Sequence, residues 1–245
     1  TALPTLTPLP SATPLQAASA PPVPPVVFAP LEAGSSAYRF ADGAVLQFVP
    51  AGTIVMGAAG RYAQLDEQPQ HTVMLSDFWI DRTEVTNAQY ALCVADGLCA
   101  PPSNRRFFDD PVFAGYPVIY VPHSSAVTYC LWAARATGTA TGLPTEAQWE
   151  KAAAWDPAAE TARTYPWGDD PPTDDLARFQ GNTTAGIAPA GSLPAGASPY
   201  GALDMAGNVW EWVADWYGET TYSRSGVPID PTGPQSGTQR VMRGG

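Results

Sequence analysis

Three cysteines and two histidines are the side chains in this sequence best suited to act as nucleophiles, metal ligands or proton carriers. Cys93 and Cys99 flank VADGL, a turn-containing segment directly after an expected helix. Their spacing leaves three readings: a disulfide, two free thiols, or half of a zinc site. Zinc would need His71 or His123 to join, and neither stands in metal-ligand spacing with the cysteines. In an exported protein the spacing suits a small-loop disulfide, which loop entropy values at roughly 2 kcal/mol. Cys130 lies beside Leu131 and Trp132 on another expected helix and reads as a small buried hydrophobe. His71 opens an expected strand and His123 precedes an expected helix cap, so both read as structural hydrogen-bonding residues. There is no G-x-S-x-G elbow, no phosphate-cradling glycine loop and no H-E-x-x-H pair. Residue chemistry alone describes an exported domain with an aromatic core and no stated activity.

The elements that would position these side chains follow from composition and local signals. Glycine (22) and proline (27) are abundant in the 245 residues, and both interrupt regular elements. A helical bundle or doubly wound enzyme is therefore disfavoured, and one loop-rich domain with an aromatic core is expected. A formal net charge of −11 argues against nucleic acid or an anionic membrane surface as partner. No run of apolar residues is long enough to span a bilayer. The first thirty-one residues carry no charged side chain and nine prolines. Such a stretch cannot bury enough apolar surface to offset its ordering entropy. Residues 1–37 therefore read as a Pro/Thr/Ala-rich linker or stalk, and 38–245 as the folded domain. A stalk of this kind, on a chain that opens with Thr and is expected to follow a removed segment, points to an extracytoplasmic, tethered domain. Residues 44–57 and 71–81 alternate as strands do. Thr86/Gln89 and Thr145/Gln148 form capping boxes for two short helices. Ser124 or Ser125 is placed to cap a third, which Gly138 closes. Beyond Trp155 no long helix is expected.

The order of short motifs adds more. FVPAGTIVMG, HTVMLSDFWIDRTEVTNAQY, YPVIYVPHSSAVTYCLWAA, GLPTEAQWEKAAA, YPWGDD, YGALDMAGNVWEWVADWY and RVMRGG follow one another along the chain. Over about residues 44–245 this series resembles the formylglycine-generating enzyme family, also called the sulfatase-modifying-factor family. The resemblance implies an α+β domain related to C-type lectins, with short helices around small antiparallel sheets. It also implies a reference activity, in which a cysteine pair binds copper(I), activates oxygen and oxidises a sulfatase cysteine to formylglycine. In the family those cysteines follow an R-G-G-S segment, and this chain ends at Gly245 inside it. None of Cys93, Cys99 and Cys130 matches a catalytic position, so no catalytic residue is expected here and the chain as given is expected to be inactive. Copper is expected only where the family pair is present. The Cys130 position is a disulfide partner in some relatives, with its mate near the family's C-terminal end.

The resemblance further implies calcium, held where GALDMAGNVWEW lies by the Asp204 and Glu211 side chains and the Gly207 and Val209 carbonyls. A hard cation takes oxygen ligands, and a glycine-containing loop can turn its carbonyls inward. Read on their own, Asp204 and Glu211 are equally well surface or capping acids. A weaker second site would fall near 177–184, where Asn182 could supply an oxygen but Arg178 stands where an Asn ligand is usual. Three functions are consistent with the sequence: the oxidase, a non-catalytic lectin-like module on a stalk, and the scaffold of a diversity-generating-retroelement variable protein. The expected partner is accordingly a protein or peptide substrate, or a surface ligand.

Overall fold

A short edge strand, β1 (Ser36–Arg39), leads into the first strand-like segment, which Pro50–Ala51 divides into β2 (Ala44–Val49) and β3 (Gly52–Met56). Proline offers no amide to a ladder, so the break falls where the sequence loses a donor. The second segment divides at Ser76–Asp77 into β4 (His71–Leu75) and β5 (Phe78–Asp81). This computed structural model describes residues 31–59, 63–138, 140–179, 186–223 and 226–245, so Asn182 and residues 1–30 lie outside it. β2 pairs antiparallel with β1 on one side and β5 on the other, with Leu46 opposite Asp81 and Phe48 opposite Trp79. β3 and β4 form a separate antiparallel pair.

Helices α1 (Asn87–Ala95), α2 (His123–Thr137) and α3 (Glu146–Ala154) follow. Both expected capping boxes are present. The Thr86 amide donates to Gln89 Oε1 at 2.8 Å, and the Thr145 amide donates to Gln148 Oε1 at 2.9 Å. α2 differs from expectation: Pro122, not a serine, is its N-cap, and no side chain caps it. The proline ring presets an extended cap residue, whose carbonyl accepts the Ser125 and Ala126 amides. Gly138 closes the helix in a left-handed conformation, as its position predicts.

The remainder is turns and two short ribbons. β6 (Trp155–Asp156) pairs with β7 (Thr161–Ala162), and β8 (Glu211–Trp216) pairs with β9 (Arg240–Arg243). Few helices and small antiparallel sheets make this an α+β fold. Trp149 on α3, Val49, Ile80, Tyr200 and Val213 form one core cluster, which ties β2, β5, α3 and β8 together. Cys93 and Cys99 are joined in a disulfide with their Cα atoms 5.3 Å apart. It is buried among Tyr90, Tyr129 and Trp132, which fixes the end of α1 against α2. Among the described residues no helix is long and apolar enough to cross a membrane.

Candidate metal centre and cleft

The AGNVWEW loop is bent by three successive demands on its backbone. Asp204 and Asn208 hold positive φ of 57° and 62°, conformations that Asp and Asn tolerate better than most residues. Gly207 has φ 90°, and a Cβ there would stand 2.2 Å from the Arg178 carbonyl oxygen, so only glycine fits. The Gly207 amide donates to Gly244 O at 2.8 Å and the Asn208 amide to Arg178 O at 2.7 Å, which anchors the loop from two sides.

Asp204 is buried, and its Oδ2 accepts the Gly191 amide at 2.5 Å. Glu211 begins β8, and its Oε2 accepts the Trp149 indole N–H at 2.9 Å. A Cβ built on Gly244 would lie 3.6 Å from the Val209 carbonyl oxygen and 3.7 Å from Glu211 Oε1, so Gly244 packs against both residues. Asp204 lies close enough for its charge to act on Glu211. Burial first, and then this repulsion, push the Glu211 carboxyl well above the usual carboxylate range.

The sequence reading gave no role to Glu84, although it stands in the EVTN motif used for the resemblance. It is buried, and its Oε1 accepts the Asn208 side-chain amide at 2.8 Å. No side chain among the described residues bonds its buried Oε2. Burial, then the charges of Asp204 and Glu211, hold its carboxyl far above the ordinary range. Among the described residues no Lys or Arg pairs with any of these three acids. Nor do three His, Cys, Asp or Glu side chains there converge in a metal-binding cluster on their own. A cation at this loop would therefore draw on carbonyl and water oxygens beside the carboxylates. That all-oxygen donor set, with one buried oxygen still unpaired, suits a hard cation.

Glu84, Asn208, Val209 and Glu211 also line a cleft of about 1340 Å³. Phe40, Trp79, Tyr120 and Trp210 border it, with Phe40 95% and Trp210 63% exposed. Cys130 lines the same cleft, and burial pushes its thiol up to about 12. The two other cysteines are consumed by the disulfide. A copper(I) thiolate pair thus does not fit the cysteines of these 245 residues. His123 Nε2 lies 3.0 Å from the Val213 carbonyl, which can only accept, so that nitrogen carries the proton. His71 packs edge-on against Tyr222. His123 also packs edge-on against Trp212, the last residue of AGNVWEW, with ring centroids 5.6 Å apart.

Residues 36–245 match the profile of the Sulfatase-modifying factor enzyme 1-like domain. The chain belongs to the sulfatase-modifying-factor family. Among relatives of this family domain, a formylglycine-generating enzyme from Streptomyces coelicolor is 31% identical over 80% of this chain and 76% of its own length. A hercynine oxygenase from Mycolicibacterium thermoresistibile is 37% identical over 75% of the chain. The chain spans about half the length of the hercynine oxygenases it matches, 47% in that case. PvdO from Pseudomonas aeruginosa shares the fold at a TM-score of 0.68 and 24% identity, over 88% of this chain and 87% of PvdO. Treponema denticola variable protein 1 does so at 0.64 and 21%, over 86% of each chain.

Proposed function

We propose that this sulfatase-modifying-factor domain is a calcium-dependent recognition module that takes a segment of polypeptide in its aromatic cleft. Calcium would be held by Asp204, Glu211 and the Gly207 and Val209 carbonyls. One observation carries the reading: the loop with this ligand set also lines the cleft, through Asn208, Val209 and Glu211, so the ion would fix part of the surface that meets the ligand. The cleft, at about 1340 Å³, exceeds the roughly 300–1,000 Å³ of small-molecule pockets. Its exposed tryptophans and phenylalanine are of the kind enriched where proteins meet. A buried disulfide and an uncharged, proline-rich N-terminal stretch support display outside the cytoplasm on a stalk. Oxidation of the reference kind would require thiolates other than Cys93, Cys99 and Cys130.

Selection of displayed random peptides on the calcium-loaded domain tests this directly. Recovered peptides should bind with calcium, release with EDTA, and bind at least tenfold more weakly to Trp210→Ala. Binding indifferent to both changes would contradict the proposal. Loss of peptide thiol in the presence of copper(I) and oxygen would instead favour the oxidase.

A further inference from the structure

A cleft laid over one face of a sheet is lined by every second residue of a strand, because neighbouring side chains point to opposite faces. β5 borders the aromatic cleft differently. Residues 77–81 and 83–85 all line it, so the cleft follows the edge of this strand and its extension. β5 is an outer strand, paired with β2 alone. The Arg82 amide donates to Val45 O at 2.8 Å, and Gln47 stands opposite Ile80. The bonded rungs of this antiparallel ladder therefore fall at Arg82, Ile80 and Phe78, and the main-chain amides and carbonyls of Trp79 and Asp81 point away from β2. No main-chain group among the described residues pairs with them. The Asp81 charge does not guard the edge, because Arg39 of β1 holds that carboxylate back across the sheet. Another unbroken run in the cleft wall, residues 118–121, is engaged elsewhere. Val118 donates to Val85 O, Tyr120 O accepts the Ser103 amide, and Val121 O accepts the Trp212 indole N–H. β1, the opposite edge of the sheet, lines the cleft over residues 37–40 alone.

We propose that the cleft takes its polypeptide as an added strand, hydrogen-bonded to the main chain of Trp79 and Asp81 along the free edge of β5. This rests on the recognition reading above and names the form of ligand that reading leaves open. The ligand is an extended segment with no proline at the positions that face Trp79 and Asp81, since proline has no amide to give. In binding of this kind main-chain bonds supply affinity, and alternate side chains supply selectivity. Asp77 stands exposed at the head of β5 in a chain of net charge −11, which favours a segment carrying a basic residue at that end.

The probe is the tightest peptide recovered by the display selection described above, remade with one backbone amide methylated at a time. Methylation removes a ladder donor and adds bulk in its place. The dissociation constant should rise roughly tenfold at alternate positions of a central stretch and stay about unchanged at the positions between them. Trp79→Pro removes an amide that β2 does not use, and an edge strand tolerates proline at such a position. It should weaken the peptide roughly tenfold beyond Trp79→Ala, which removes the ring alone. Tyr38→Pro, the matching change on β1, should not. Because the methylation series uses the unaltered protein, it decides the matter even where Trp79→Pro fails to fold. Methylation without an alternating pattern, Trp79→Pro no worse than Trp79→Ala, or loss confined to Tyr38→Pro would overturn strand addition on β5. The recognition reading survives any of these results while the peptide still requires calcium. If selection recovers no calcium-dependent peptide, both fail.

Discussion

Two groups of acids reach the same cleft, through Asp81 in one and Glu84 and Glu211 in the other, and they balance their charge differently. At one, Arg39 holds Asp42 and Asp81 together, donating to Asp42 through Nε and Nη2 and to Asp81 at 2.6 and 2.7 Å. Tyr129 adds its hydroxyl to Asp42. Asp42 is accordingly held below the usual carboxylate range despite its burial, through its bonds to Arg39 and Tyr129, whereas burial still raises the Asp81 carboxyl. At the other, Glu84, Asp204 and Glu211 receive one carboxamide, one amide N–H and one indole N–H, and no cation among the described residues. Their carboxyls feel burial and one another, and Glu84 and Glu211 are pushed up. One fold thus contains an acidic cluster with its own cation and, among the described residues, one without. That contrast, more than the number of acids, supports the proposal that the second cluster holds the ion.

The contrast can be broken from either side. Arg39→Met should convert the balanced cluster into an unbalanced one and cost about 3 kcal/mol in urea denaturation. Calcium should not restore it, because Asp42 and Asp81 are not among the proposed ion ligands. Restoration by calcium would show that any acid pair in this cleft recruits the ion. A smaller effect is expected at Glu146, the first residue of α3, whose carboxyl burial raises to about 7 although Arg243 lies 3.4 Å away. The folded state keeps a proton there that the unfolded chain has already released above its ordinary value of 4.5. Stability from this group is therefore present below pH 4.5 and lost as pH climbs through about 7. Glu146→Gln should flatten that part of the melting-versus-pH curve by on the order of 1 kcal/mol, after allowance for solvent screening. An unchanged slope would place the titration elsewhere.

How much of this was legible in the sequence depends on how local each signal is. Thr86 with Gln89 and Thr145 with Gln148 act within one turn, and both capping boxes formed as read. Cys93 and Cys99 are separated by 6 positions and closed as the turn between them suggests. The serine cap ahead of α2 was misread because Pro122 supplies the same extended backbone without a side-chain bond. Asp204 and Glu211 could be named only through the resemblance, since their spacing fits surface acids equally well. Glu84 was out of reach. Its partner is far off in sequence, and no periodicity or spacing encodes an oxygen left unpaired by a tertiary contact. The aromatic cleft was hidden for a similar reason: Phe40, Trp79, Tyr120 and Trp210 come from four separate segments, and each alone reads as core.

Melting the intact chain in EDTA, in excess calcium and in excess magnesium tests the central claim most directly. An ion that binds only the folded state at a hundredfold above its dissociation constant adds about 2.7 kcal/mol. Calcium should therefore raise the melting temperature well above its value in EDTA. Magnesium should do so less, since its smaller, stricter shell suits a carbonyl-rich loop poorly. Asp204→Ala and Glu211→Ala should abolish most of the difference. Asp215→Ala should retain it, although that carboxylate bonds the Glu146 amide at 2.8 Å and its loss will lower every curve. Superimposable curves in EDTA and in calcium would contradict the account and leave Asp204 and Glu211 as acids that do no more than tether a loop to an aromatic core.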